Sequence, residues 1–193
     1  MSFIKSVRSM KPGQVNKLRE IIRVDQAGEL GADLIYAGQY CVFNKTQPTL
    51  APLIKHMRTQ EIKHRNKFNE LQVENRVRPS IFTPLWQAAA FGLGVGTALM
   101  GKEAAMACTE AVETVIGGHY NSQLRWLISS FPDEAKTDGV ADLKKIIKEF
   151  RDDELEHLET AVENGAKRAV PYMLLTETIK TGCRAAIWTA QRF

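Results

Sequence analysis

Two tetrads, Glu61-Ile62-Lys63-His64 and Glu154-Leu155-Glu156-His157, place a carboxylate and an imidazole three residues apart, on one face of any helix that contains them. The apolar residues around both recur at helical spacing, and the tetrads stand where those stripes should continue. Leu53 or Ile54, Met57, Phe68 and Leu71 mark the stripe around the first; Leu143, Ile147, Phe150 and Ala161 mark that around the second. Two further stripes each carry a glutamate in the same inward position. Glu29 lies among Leu18, Ile22, Asp25, Ala32, Tyr36, Tyr40 and Phe43, and Glu113 among Met106, Glu110, Gly117, Tyr120 and Leu124. The order repeats: a lone glutamate, then Glu-x-x-His, twice, with Tyr36 and Tyr120 each seven residues after the lone glutamate. Two helix pairs with one ligand grammar imply a pseudo-twofold bundle.

β-Branched alternation over strand lengths is absent, so the chain reads as all-α. Helices are expected over about 14–43, 52–73, 81–100, 102–129 and 141–164, with a sixth, amphipathic one from about Pro171. Turn-forming residues 44–52 separate the first two, and Pro132, Asp133, Asp138 and Gly139 belong to a linker before the fifth. With 193 residues, one domain buries a core without disulfides or structural metal. Cys41, Cys108 and Cys183 are far apart and form no CxxC, which suits free thiols in a reducing compartment.

Residues 1–20 form a basic leader with no acidic residue before Glu20, and 21–193 a single domain. The leader's Lys5, Arg8, Lys11, Lys17 and Arg19 with interspersed serines suit a mitochondrial presequence and equally a plain solvated segment. The net charge of +4 and pI of about 9.0 come from scattered basic residues without interleaved aromatics. That pattern speaks against nucleic acid and for a membrane or acidic partner.

Burying four uncompensated carboxylates would cost several kcal/mol each, more than a small domain can absorb. Two divalent metals would neutralise four glutamates with neutral histidines. A lone glutamate from each of two helices plus Glu-x-x-His from two others is the dinuclear carboxylate pattern of ferritin-like bundles. The expected ligands are Glu29, Glu61, His64, Glu113, Glu154 and His157, with Glu61 and Glu154 favoured as the bridges. Oxygen and imidazole donors without thiolate suit iron or manganese. Around them, Asp25 is placed to orient a ligand histidine through its far ring nitrogen, or else is a hydrogen-bonded core carboxylate. Tyr120 either contacts the site or packs, Tyr36 is expected to pack, and His119, bordering the stripe, either supports the ligands from outside or is an ordinary buried or surface histidine.

Gly96-Thr97-Ala98-Leu99-Met100-Gly101-Lys102 mimics a phosphate-binding loop, but Glu103 stands where a hydroxyl should meet magnesium and no strand precedes it. Between Arg78 and Lys102 there is no charged residue, a run that meets the usual length of about 20 residues for a membrane span. A single crossing would put Glu29, Glu61 and His64 on one side of a bilayer and Glu113, Glu154 and His157 on the other. The segment must therefore return the chain to the same side. Gly92, Gly94, Gly96 and Trp86 favour a helix on the bundle or in the membrane interface. Val170, Met173, Leu174, Ile179, Ile187 and Trp188, with Lys180, Arg184 and Arg192, give the last segment the same character. Homo-oligomer contact or ordinary core is the alternative use of both.

The chain resembles the demethoxyubiquinone hydroxylases, di-iron monooxygenases of ubiquinone biosynthesis, from Arg23 to Arg192. The resemblance rests on Arg23-Val24-Asp25-Gln26-Ala27-Gly28-Glu29, Tyr36-Ala37-Gly38-Gln39, Gly101-Lys102-Glu103, Met106-Ala107-Cys108-Thr109, Ala111-Val112-Glu113, Phe150-Arg151-Asp152-Asp153-Glu154-Leu155-Glu156-His157 and Gly182-Cys183-Arg184. It implies a ferritin-like four-helix bundle with two additional apolar or amphipathic helices, and two iron ions held by the six residues above. It further implies hydroxylation of a polyprenyl quinone ring with dioxygen, peripherally at the matrix side of the mitochondrial inner membrane, with a lipid-presenting partner protein. Electrons would come from a reduced nicotinamide. Two features depart from the family pattern: Glu110 replaces an aliphatic residue, and Gly117-Gly118 loosens the helix before His119. Ferroxidase or iron handling, di-iron quinol oxidation and a quinone-binding scaffold are the competing functions.

Overall fold

The computed structural model describes residues 10–132 and 138–193. They form α1 (Pro12–Thr46), α2 (Ala51–Glu74), α3 (Thr83–Leu99), α4 (Lys102–Ser130), α5 (Asp138–Glu163) and α6 (Tyr172–Arg192), with a 3-10 turn at Ala166–Arg168. No strand occurs among the described residues. Pro12, Pro52 and Pro84 stand at the first or second helical positions, where a missing backbone N–H leaves no bond unmade. Asp138 and Gly139, expected in the linker, instead open α5, and Asp133 lies outside the described residues. Of the basic leader, residues 1–9 lie outside the described residues, while Pro12–Glu20 form the first turns of α1 with Val15 and Leu18 buried.

α1 packs along α2 and α4 along α5, as two hairpins. Between the hairpins lie two apolar clusters. One gathers Leu18 and Ile22 of α1, Phe68 and Leu71 of α2, Tyr120 and Leu127 of α4 and Phe150 of α5. The other gathers Tyr36 and Phe43 of α1, Ile54 and Met57 of α2, Met106 of α4 and Ala161 of α5. On every one of these helices the expected ligands fall between its residues of the first cluster and its residues of the second. This is a ferritin-like four-helix bundle with its polar layer at mid-height.

The charge-free segment becomes α3, which lies along α1, while α6 covers α4 and touches α1. No described helix is long and apolar enough to cross a membrane. Gly101, at φ 116°, turns the chain from α3 directly into α4, a conformation that L side chains rarely adopt. The phosphate-loop mimic is therefore a helix end and a turn. Of the three glycines in α3, only Gly94 touches the bundle: a Cβ there would run into the carbonyl of Ile35. Opposite it, a Cβ on Gly38 would stand 2.5 Å from the Phe91 carbonyl oxygen.

Gly94→Ala is accordingly expected to force α3 off α1 and cost about 1–3 kcal/mol in denaturant unfolding. Gly92→Ala and Gly96→Ala, whose added methyl meets open space, should be neutral or stabilising by up to about 1 kcal/mol. Equal losses in all three variants would refute the close contact.

Candidate metal centre

Glu29, Glu61, His64, Glu113, Glu154 and His157 are all buried, none more than 1% exposed. Their ligand atoms fall into two groups: Glu29, Glu61, His64 and Glu154, and Glu61, Glu113, Glu154 and His157, each within 4.8 Å of one another. Glu61 and Glu154 belong to both. The six sequence-predicted residues are thus brought together, with the two tetrad glutamates in the middle.

Both imidazoles point Nδ1 inward. His64 Nδ1 lies 3.3 Å from Glu29 Oε2 and 3.2 Å from Glu154 Oε1; His157 Nδ1 lies 3.0 Å from Glu61 Oε1 and 3.2 Å from Glu154 Oε2. Their outer nitrogens cross between helices. His64 Nε2 on α2 meets Asp153 Oδ2 on α5 at 2.9 Å, and His157 Nε2 on α5 meets Gln60 Oε1 on α2 at 3.0 Å. The two tyrosines cross in the same way: Tyr36 donates to Glu113 Oε1 at 2.8 Å, and Tyr120 donates to Glu29 Oε1. Phe150 stacks on the His64 ring with centroids 3.9 Å apart, and the edge of His157 meets Tyr36.

Several expectations need correction. Tyr36 does more than pack, since its hydroxyl binds a site carboxylate. Of the two readings of Asp25 the second holds: it is a core carboxylate whose Oδ1 accepts from Gln123 at 2.6 Å, and the histidines are held by Asp153 and Gln60. Sequence reasoning passed over both, although each immediately precedes the glutamate of its tetrad. His119 belongs to neither ligand group and lines a groove of about 440 Å³ between α4 and α6. Burial and Lys17 lower it to about 4. Glu110 leaves the site altogether, meeting Lys167 and, at 2.8 Å, the hydroxyl of Tyr172.

The electrostatics of the cluster are those of crowded acids sharing protons. Burial, then Glu154 and Glu29, pushes Glu61 well up, and burial with Glu154 and Glu61 does the same to Glu113. Burial pulls His64 down, but the closeness of the Glu154 and Glu29 carboxylates carries it to about 12. Glu154 is the exception: burial pushes it up, yet His157 and His64 hold it at about 2. Despite this crowding, Glu29 Oε2, both oxygens of Glu61, His64 Nδ1, Glu113 Oε2 and Glu154 Oε1 lack a hydrogen-bond partner. Buried polar atoms are almost always satisfied. Six inward-facing orphans of oxygen and imidazole type are the donor set that a pair of hard-to-borderline divalent cations requires.

Comparison with known proteins agrees with this geometry. The model of the family described as "Ubiquinone biosynthesis protein COQ7" matches residues 16–190. The 5-demethoxyubiquinone hydroxylase of Saccharomyces cerevisiae is 57% identical over 192 residues, covering 96% of this chain and 82% of the yeast protein. The NADPH-dependent 3-demethoxyubiquinone 3-hydroxylase of Mus musculus is 50% identical over 90% of this chain and 76% of its own length. The 3-demethoxyubiquinol 3-hydroxylase of Rhodospirillum rubrum is 40% identical over 94% of this chain and 81% of its own length. With six buried ligand-type residues between paired helix hairpins and such similarity along nearly the whole chain, the protein belongs to the ubiquinone biosynthesis protein COQ7 family.

Proposed function

We propose that this enzyme hydroxylates the ring of a demethoxyubiquinone with one atom of dioxygen, at a di-iron centre held by Glu29, Glu61, His64, Glu113, Glu154 and His157. The observation that carries the reading is the pair of four-residue groups sharing Glu61 and Glu154, the two residues that would serve both metals. When bound, the irons supply the binding and reductive activation of dioxygen. The chain supplies the rest. Asp153 and Gln60 accept from the outer Nε2–H of each imidazole, leaving Nδ1 as the inward donor. The Tyr36 and Tyr120 hydroxyls each bind one oxygen of Glu113 and Glu29, so that Glu113 Oε2 and Glu29 Oε2 remain without partners. Aromatic and aliphatic side chains above and below the layer exclude water.

The same reading places the substrate's prenyl tail and the membrane at α3 and α6. Leu85, Leu99, Met173, Leu174 and Trp188 are more than half exposed there, large apolar side chains that a membrane surface would cover. Arg192 stacks over Trp188 at 4.0 Å, as basic and indole groups do at a headgroup boundary. Peripheral attachment to the matrix side of the mitochondrial inner membrane, a lipid-presenting partner on that face and a reduced nicotinamide as electron source complete the proposal; the last accords with the name of the mouse relative.

Iron-loaded protein given a short-chain demethoxyubiquinone, reductant and oxygen-18 gas is expected to put one heavy oxygen on the ring, read by mass spectrometry, and Glu61→Ala to abolish it. Oxygen consumption with an unlabelled ring would instead select quinol oxidation or ferroxidase activity.

The metal-free protein should respond to pH in a definite direction. His64, raised from 6.5 to about 12, contributes stability that is complete below 6.5 and is lost as pH climbs. Glu61 and Glu113, held above 4.5, act in the same direction from 4.5 upward; Glu154, lowered to about 2, acts oppositely between 4.5 and 2. The midpoint of thermal unfolding should therefore be highest near pH 4.5 and decline above it, more steeply beyond 6.5 where His64 joins, while divalent metal binding releases protons and tightens over the same rise. A metal-free midpoint that climbs with pH beyond 6.5 would contradict the shared-proton account.

On vesicles, a Met173→Glu, Leu174→Glu double variant should bind about tenfold or more weakly in flotation assays, from loss of two apolar side chains, with metal content unchanged.

A further inference from the structure

The site is pseudo-symmetric in almost every particular. Glu29 matches Glu113, Glu61 matches Glu154, His64 matches His157, and each tyrosine bonds to the other hairpin's lone glutamate. At the outer ring nitrogens the symmetry breaks at one pair of equivalent positions. The residue before the tetrad glutamate is an amide on α2, Gln60, and a carboxylate on α5, Asp153. Because the contacts cross, the carboxylate serves His64 and the amide serves His157, at nearly equal lengths of 2.9 and 3.0 Å.

We propose that Asp153 and Gln60 are positioning residues that make the two metal positions unequal, the one at His64 receiving the more strongly donating imidazole. The inference rests on the metal-pair reading above. A ring N–H bonded to a carboxylate is drawn further toward its acceptor than one bonded to a neutral amide, roughly twice as strongly. The electron density that the proton gives up moves to the opposite nitrogen, so the carboxylate-bound imidazole is the better ligand. His64 therefore favours the higher oxidation state of its metal more than His157 does. Lengths and burial of the two rings do not compensate for the difference, since both imidazoles are fully buried and both outer contacts have ordinary hydrogen-bond geometry. Each ring also has two or three carboxylate oxygens near Nδ1, while the aromatic neighbours differ, Phe150 stacking on His64 and Tyr36 meeting His157 edge-on, so single substitutions at Asp153 and Gln60 are what isolate the outer contacts.

The test uses cobalt(II), whose ligand histidines give strongly shifted, exchangeable ring N–H resonances in proton NMR, on the full-length protein loaded with two equivalents. The wild type should show two such resonances well apart. Asp153→Asn and Gln60→Glu are isosteric, and each should move one resonance alone and bring the pair closer. In the Asp153→Asn, Gln60→Glu double variant, the carboxylate and amide trade places. The separation should then return with the two assignments exchanged. Asp153→Asn should also weaken one cobalt-binding step about 10–100-fold while leaving the far-ultraviolet helical signal intact. Two bound cobalts with coincident resonances, or single variants that move both together, would overturn this inference and leave the metal pair standing. Failure to take up two cobalts at all would overturn both.

Discussion

Four carboxylates sharing one buried layer are the constraint on which the rest of this structure depends. Each ion removed from water costs several kcal/mol, against a total stability of about 5–15 kcal/mol for a whole domain, so the layer exists only if positive charge joins it. Protons meet the need in part, which is why Glu61 and Glu113 are pushed up while His64 stays charged and Glu154 stays ionised between two imidazoles. They leave six ligand atoms facing inward without partners. A structure held only by protons would have no reason to keep those atoms pointed at one another. The two apolar clusters serve the same constraint, because they keep water from relieving the layer and so preserve its demand for cations.

Cross-connection is the means by which the hairpins hold this layer in shape. Four orienting bonds run from one hairpin to the other: Tyr36 to Glu113, Tyr120 to Glu29, His64 to Asp153 and His157 to Gln60. Backbones of α2 and α5 barely approach each other, so these side chains set the spacing where close helix packing does not. A groove of about 590 Å³ opens between the same two helices, with Phe150 in its wall and stacked on His64. The outer bonds of the two histidines share this seam with the Lys63–Glu149 ion pair at 2.7 Å and with Phe68 meeting Phe150 edge to face.

The six candidate ligands were legible because a carboxylate or imidazole on an apolar stripe contradicts the stripe, and four such contradictions in a repeating order point to one shared cause. Their outer partners were less legible for a physical reason. Asp153 and Gln60 lie beside the stripe rather than on it, and whether they reach a histidine depends on the axial offset between α2 and α5, which no single-helix pattern encodes. Asp25 was the better candidate by position, one turn from Glu29, but Gln123 of α4 is nearer than either imidazole ring. Tyr36 looked like core because a buried tyrosine usually is, and its hydroxyl partner comes from a helix 77 residues away. Glu110 could have turned inward by spacing alone; Lys167 and Tyr172, brought by the turn after α5, draw it out.

The same geometry explains why the charge-free segment imitates a membrane span. α2 ends at the Leu18 and Phe68 end of the bundle, whereas α4 begins at the Phe43 and Met106 end. The second hairpin can match its ligands to the first only if the connection runs the full length of the bundle. Over its 17 residues α3 spans about 25 Å at 1.5 Å per residue, close to the thickness of a bilayer's hydrocarbon core at about 30 Å. The crossover lies on α1, with Gly94 pressed to the backbone of Ile35, so one flank of the helix is packed and the other is left bare. α6 starts beside the 3-10 turn and ends against Ile81 and Phe82, adding its own apolar residues to that flank. The demand that two hairpins meet at one layer of carboxylates and histidines thus also generates the apolar face, and puts it on the side of the bundle formed by α1 and α4.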